Sequence, residues 1–195
     1  MQTYGLPSAY RRVEYIQNPQ HAFIDTGIAI TRDLQLRITY KVPGSLVSRY
    51  VMGHYAGNSG DFYLFISGGS HNGFIQTAFG TLYFNTIKKY DNAKHKLLYT
   101  IENSKLYVYQ DGELITPDGK EIIEKITSRS IKVAGTEAGG TIPVNTYSVN
   151  MTKAGIMIRN FIPCVRKTDN KPGMYDTVSK TFYINAGTGE FIIPA

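Results

Sequence analysis

An all-β sandwich is the fold class this sequence predicts, on three observations. Residues 34–42 alternate between apolar and polar side chains, a series of short runs rich in aromatic and β-branched residues follows, and glycine, asparagine, aspartate and proline turns separate those runs. With 195 residues, the chain can bury one substantial core but is too short for two ordinary domains and a linker.

In residues 34–42, Leu34, Leu36, Ile38, Tyr40 and Val42 alternate with Gln35, Arg37, Thr39 and Lys41, the period-two pattern of a strand with one wet face. Further strands are predicted over 61–66, 74–79, 81–86, 96–101, 105–110, 130–134, 147–151, 155–162 and 181–184, all favouring a pleated, half-buried surface. Asn103-Ser104, Asp111-Gly112, Pro117-Asp118-Gly119, Gly139-Gly140 and Lys171-Pro172-Gly173 carry turn chemistry. Residues 96–115 therefore read as a meander. Only 120–127 has a helical pattern, with Ile122, Ile123 and Ile126 against Glu121, Glu124 and Lys125; one or two turns, or a β-branched strand, are expected there. No repeat or heptad is present.

The formal charge of +6 is moderate, with basic groups at Lys88-Lys89, at Lys94 and Lys96, and at Arg166-Lys167. Scattered cations without a recognition motif disfavour nucleic acid as the partner. Cys164 is the single cysteine, which excludes an intrachain disulfide and a cysteine metal cage, fits a reducing cytosol, and reads as a buried packing thiol after Pro163. No run of signal-peptide or membrane-span length occurs, so neither general secretion nor membrane association is expected, and release by lysis would be the route outside a cell.

The most specific string is 162–191, IPCVRKTDNKPGMYDTVSKTFYINAGTGEF. With its Pro163-Cys164, Arg166-Lys167, Gly173-Met174-Tyr175-Asp176, Phe182-Tyr183 and Gly187-Thr188-Gly189-Glu190-Phe191, it resembles the closing segment of a concanavalin A-like (laminin-G-like) jelly roll, a domain of tailed-phage structural proteins and gut-bacterial surface proteins. Near the N-terminus, Leu6-Pro7-Ser8-Ala9-Tyr10, Val13-Glu14-Tyr15-Ile16 and Phe23-Ile24-Asp25-Thr26-Gly27 match too, and Leu106-Tyr107-Val108-Tyr109 with Asp111-Gly112 anchors a weaker middle. The resemblance implies one domain over 1–195, a lead-in over 1–12, and a closing segment over 162–195 that packs back along the N-terminal strand.

This fold includes glucanases, whose paired carboxylates lie on one strand as an ExDxE pattern, alternate residues sharing a face. No such pattern occurs; Glu121 and Glu124 have the wrong spacing, and Asp61, Glu102 and Glu113 stand apart. No catalytic residue, metal or cofactor is expected: His21, His54, His71 and His95 are dispersed and read as surface or loop residues, Ser59-Gly60 and Ser67-Gly68 form no nucleophile elbow, and no acidic calcium loop is present.

Two glycine-rich loops, 53–61 and 67–73, supply binding candidates: His54, Tyr55, Asn58, Asp61, His71 and Asn72, side chains that can hydrogen-bond sugar hydroxyls or a protein. Tyr63, Tyr83, Tyr107 and Tyr109 could form an aromatic platform; Tyr107 and Tyr109 must share a face, and lie outside if Leu106 and Val108 are core. The expected role is a non-enzymatic structural or adhesive component of a phage virion, such as a decoration, tail-associated or fibre protein, homo-oligomeric and assembled in the host cytoplasm, with other virion proteins or a cell-surface glycan as partner. The alternative is a carbohydrate-binding module of a gut bacterium that recognises host or dietary glycans.

Overall fold

Strict alternation in 34–42 becomes strict alternation of burial: Leu34, Leu36, Ile38 and Tyr40 are buried while Gln35, Arg37, Thr39 and Lys41 face outward. In the computed structural model the described residues are 5–19, 21–44, 49–54, 61–66, 74–80, 82–89, 91–116, 120–121, 129–136 and 143–194. Among them every regular element is a strand. In chain order these are β1 (Tyr10–Arg12), β2 (Ile16–Asn18), β3 (Ile24–Ala29), β4 (Leu34–Lys41), β5 (Arg49–His54), β6 (Asp61–Ile66), β7 (Phe74–Gly80), β8 (Leu82–Lys89) and β9 (His95–Glu102). There follow β10 (Lys105–Gln110), β11 (Glu113–Leu114), β12 (Lys120–Glu121), β13 (Ser130–Val133), β14 (Val144–Lys153), β15 (Ile156–Arg166), β16 (Lys171–Asp176) and β17 (Thr181–Tyr183).

The strands form a sandwich of two antiparallel sheets, the all-β class expected. An eleven-stranded sheet runs β11-β10-β9-β4-β14-β15-β16-β17, with β1 on β15, β2 on β14 and β12 on β10. A six-stranded sheet runs β3-β13-β5-β6-β7-β8. Their facing sides meet in one core, to which the larger sheet contributes Leu36, Ile38, Tyr99, Leu106, Val108 and Phe161 and the smaller Ile24, Val51, Met52, Ile131 and Val133. Burial of this apolar area is the main stabilising term.

Local turn chemistry shapes the meander. Asn103 and Ser104 both have left-handed φ (49° and 60°) and join Glu102 to its cross-strand partner Lys105, the conformation that matches the twist of a tight hairpin. Asp111-Gly112 repeats the device, and so does Ala154-Gly155 between β14 and β15, which polar turn residues did not announce. Strands β1, β2, β3, β5 and β16 lie outside the runs expected from sequence. In 120–127 the described residues 120 and 121 are extended and pair with β10; the remainder lies outside the described residues.

The closing segment does pack along the N-terminal strands. Strands β14 and β15 separate beyond their hairpin, with β1 and β2 filling the gap. Gln17 and Ile192 exchange both backbone hydrogen bonds, and the Ala186 N–H donates to the Phe23 carbonyl. The Asn185 side chain adds three contacts: Oδ1 accepts from the N–H groups of Phe23 and Gly187, and Nδ2 donates to the Gly189 carbonyl. Asp176, fully buried, accepts from the backbone N–H groups of Asn160, Val178 and Ser179, with Arg159 Nε 3.5 Å away. Tyr10 packs between Tyr175 and Phe182, with ring centroids 4.9 and 5.1 Å away. Cys164 is buried as expected, and burial pushes its thiol up to about 11.

Candidate functional site

The outer face of the eleven-stranded sheet is built by cross-strand register. Directly opposed residues on antiparallel strands share a face, and Tyr109 of β10 opposes Leu98 of β9, which opposes Arg37 of β4, then Asn150 of β14 and Asn160 of β15. One of the flanking rows consists of Lys96, Thr39 and Ser148; the other side carries Tyr107, opposite the buried Thr100, and Gln35 opposite Thr152. Side chains from segments far apart in sequence thus pave one surface.

Tyr107 and Tyr109 lie on this face because Leu106 and Val108, both fully buried, take the other. Their rings stack with centroids 6.5 Å apart and an interplanar angle of 25°. Beside Tyr109 opens a cleft of about 670 Å³ lined by Arg37, Thr39, Lys96, Leu98, Glu102, Gly112, Ser148 and Asn150. Hydrogen bonds hold its polar floor: Ser148 Oγ donates to Thr39 Oγ1 (3.0 Å), Asn150 Nδ2 to Asn160 Oδ1 (2.6 Å), and Asn160 Nδ2 to Thr177 Oγ1 (2.7 Å). Arg37 Nη2 reaches Gln35 Oε1 at 3.3 Å. Such a floor offers oriented donors and acceptors beside an aromatic wall.

At the cleft's margin the Asp111-Gly112 turn is pinned by His95. Its Nδ1 lies 2.7 Å from Asp111 Oδ2 and its Nε2 lies 2.6 Å from Asp91 Oδ1, while Asp111 Oδ1 accepts from the Lys96 N–H. Asp91 is held below the usual carboxylate range by the Ala93 N–H first, against a smaller effect of burial, with His95 adding to the lowering. His95 was expected at the surface or in a loop; it is instead a buried strand residue, because two carboxylates satisfy both ring nitrogens.

The other expected site residues are distributed differently. His54 ends β5, only 6% exposed, so it is a strand residue and not part of a loop surface. Its Nε2 accepts from Arg129 Nη1 at 2.8 Å, since a guanidinium can only donate. Asp61 opens β6, where its backbone pairs with Gly80. Tyr55, Asn58, His71 and Asn72 lie outside the described residues. His54 and Asp61 belong to the six-stranded sheet, as do the strands carrying Tyr63 and Tyr83, whereas Tyr107 and Tyr109 belong to the larger one. The single binding platform expected from sequence is therefore divided between two sheets. Arg37, Lys96, Leu98, Ser148 and Asn150 join Tyr109 in its place; alternation in 34–42 already put Arg37 on a wet face, but nothing local indicated its neighbours.

No family model and no curated protein sequence matches the chain. Among solved structures, the CBM40 of a Ruminococcus gnavus IT-sialidase, bound to α2,6-sialyllactose, is similar at 12% identity and a TM-score of 0.47, with 70% of this chain and 91% of that chain covered. A β-glucanase candidate from Mycobacterium abscessus is similar at 12% identity and a TM-score of 0.37, covering 64% of this chain and 66% of that chain. Neither likeness says what this chain binds.

Proposed function

We propose that this chain is a non-catalytic carbohydrate-binding module whose ligand lies across the outer face of the eleven-stranded sheet. The observation that carries the reading is the stacked Tyr107-Tyr109 pair standing beside a cleft with a hydrogen-bonded polar floor. An aromatic ring covers the apolar face of a pyranose, and polar groups beside it fix the hydroxyls. Among the described residues Glu102 is the one carboxylate lining the cleft, whereas glycoside hydrolysis ordinarily uses two across the bond. That supports binding without turnover.

A glycan array probed with the wild-type protein and with Tyr109→Ala tests the proposal. Glycan binding that weakens at least tenfold in the variant, with the melting transition little changed, is the expected result. A folded protein that binds nothing would return the reading to a virion component with a protein partner, for which mass spectrometry of particles should find the chain at a fixed ratio to the major capsid protein.

A further inference from the structure

Resting on the carbohydrate reading, we infer that the sugar bound in the cleft is anionic, carrying a carboxylate or sulfate that sits between Arg37 and Lys96. Both side chains line the cleft. Lys96 opposes Thr39, two residues along β4 from Arg37, so the two cations are diagonal neighbours with Cβ atoms roughly 7–8 Å apart. Neither side chain has a carboxylate partner among the described residues: the Arg37 guanidinium bonds Gln35 at 3.3 Å, and Asp111 accepts from the Lys96 backbone N–H and not from its ammonium. Elsewhere Lys132, Arg159, Arg166 and Lys171 are each matched with Asp25, Asp176, Asp169 and Glu190.

The cleft's own acid does not fill the gap. Glu102 lies opposite Lys105 and four residues along β9 from Leu98, the neighbour of Arg37, about 13 Å away at ordinary strand rise. Two like charges facing one cavity repel each other, and an anion placed between them would relieve that repulsion. The planar guanidinium fork also matches a carboxylate or sulfate with two parallel hydrogen bonds. Tyr109 is placed to cover the ring of the same sugar, with Thr39 and Ser148 across the floor.

The test is a binding titration with sialylated, uronate-containing and sulfated oligosaccharides, each alongside its neutral parent, on the wild type and on the double variant Arg37→Gln, Lys96→Gln. At least one anionic member should bind tenfold or more tighter than its parent, the preference should shrink as salt rises, and the double variant should erase it while its melting transition stays in place. Whether carboxylate or sulfate wins identifies the group. Equal binding of charged and neutral members, or a preference that survives in the double variant, would overturn the inference and leave the carbohydrate reading standing. Binding of neither class would remove both.

Discussion

The closing segment and the outer face of the large sheet are opposites within one molecule. In the closing segment the conspicuous residues have backbone tasks: Asn185 ties two segments, Asp176 collects three N–H groups, and a Cβ on Gly173 or Gly187 would collide with the carbonyl oxygen of Tyr183 or His21. On the outer face, Arg37, Lys96, Ser148 and Asn150 need only be compatible with a wet strand surface. A string that resembles a family can therefore mark where the chain has no geometric choice, while the residues that meet a ligand lie in strands with nothing distinctive to read.

The largest effect should come from Asp176→Ala. The substitution leaves three partly buried N–H groups without their acceptor and removes the buried carboxylate beside Arg159, at a cost of about 3 kcal/mol in denaturant unfolding. Asp176→Asn keeps one acceptor oxygen and should lose roughly half of that. A loss below 1 kcal/mol for the alanine variant would break the comparison, because the motif would then not be there for the fold. Next comes Gly187→Ala, whose Cβ would also stand 2.8 Å from the Phe23 ring; overpacking of this kind should cost about 2–3 kcal/mol, read as a lowered melting transition with glycan affinity retained in the folded fraction.

The outer face should respond the other way round. Tyr109→Ala removes a partly exposed ring from the sheet surface and from its stack with Tyr107, so about 1 kcal/mol of stability is expected to go while binding falls at least tenfold. A stability loss of 3 kcal/mol or more would place the ring in the structural category and withdraw it from the site.

How legible each region was follows from the range of the interactions involved. The tight turn at Asn103-Ser104 and the outward pair Tyr107-Tyr109 depend on neighbours within a few residues, and both were readable. Period two says which face a residue takes but not which sheet its strand joins, so Tyr63 and Tyr83 were grouped with Tyr107 and Tyr109 although their strands lie in the other sheet. Register between β4, β9 and β14 is set by long-range pairing, so Arg37, Lys96 and Asn150 could not be assembled from their local sequence. His54 and His95 were misread for a related reason. A lone histidine looks like a surface residue until Arg129, or Asp91 and Asp111, is brought against its ring.

The smallest effect sharpens the comparison from within the closing segment, whose exposed rim should contribute far less than Asp176. Arg166 binds both oxygens of Asp169 (Nε to Oδ1 3.0 Å, Nη2 to Oδ2 2.7 Å), and this holds the Asp169 carboxyl down to about 2, with the Lys171 N–H helping. A folded-state value below the unfolded one stabilises the protein above the unfolded value and is lost as pH falls through the folded one; the window is therefore acidic, from the ordinary 3.8 down to about 2. Both side chains are well exposed, and solvent screening makes the stability change slight. A side-chain NMR titration should place the Asp169 midpoint near 2 in the wild type and return it toward the ordinary range in Arg166→Gln, with little change in melting at neutral pH. A marked loss of stability in that variant would mean that the rim, and not only the buried Asp176 knot, holds the closing segment in place.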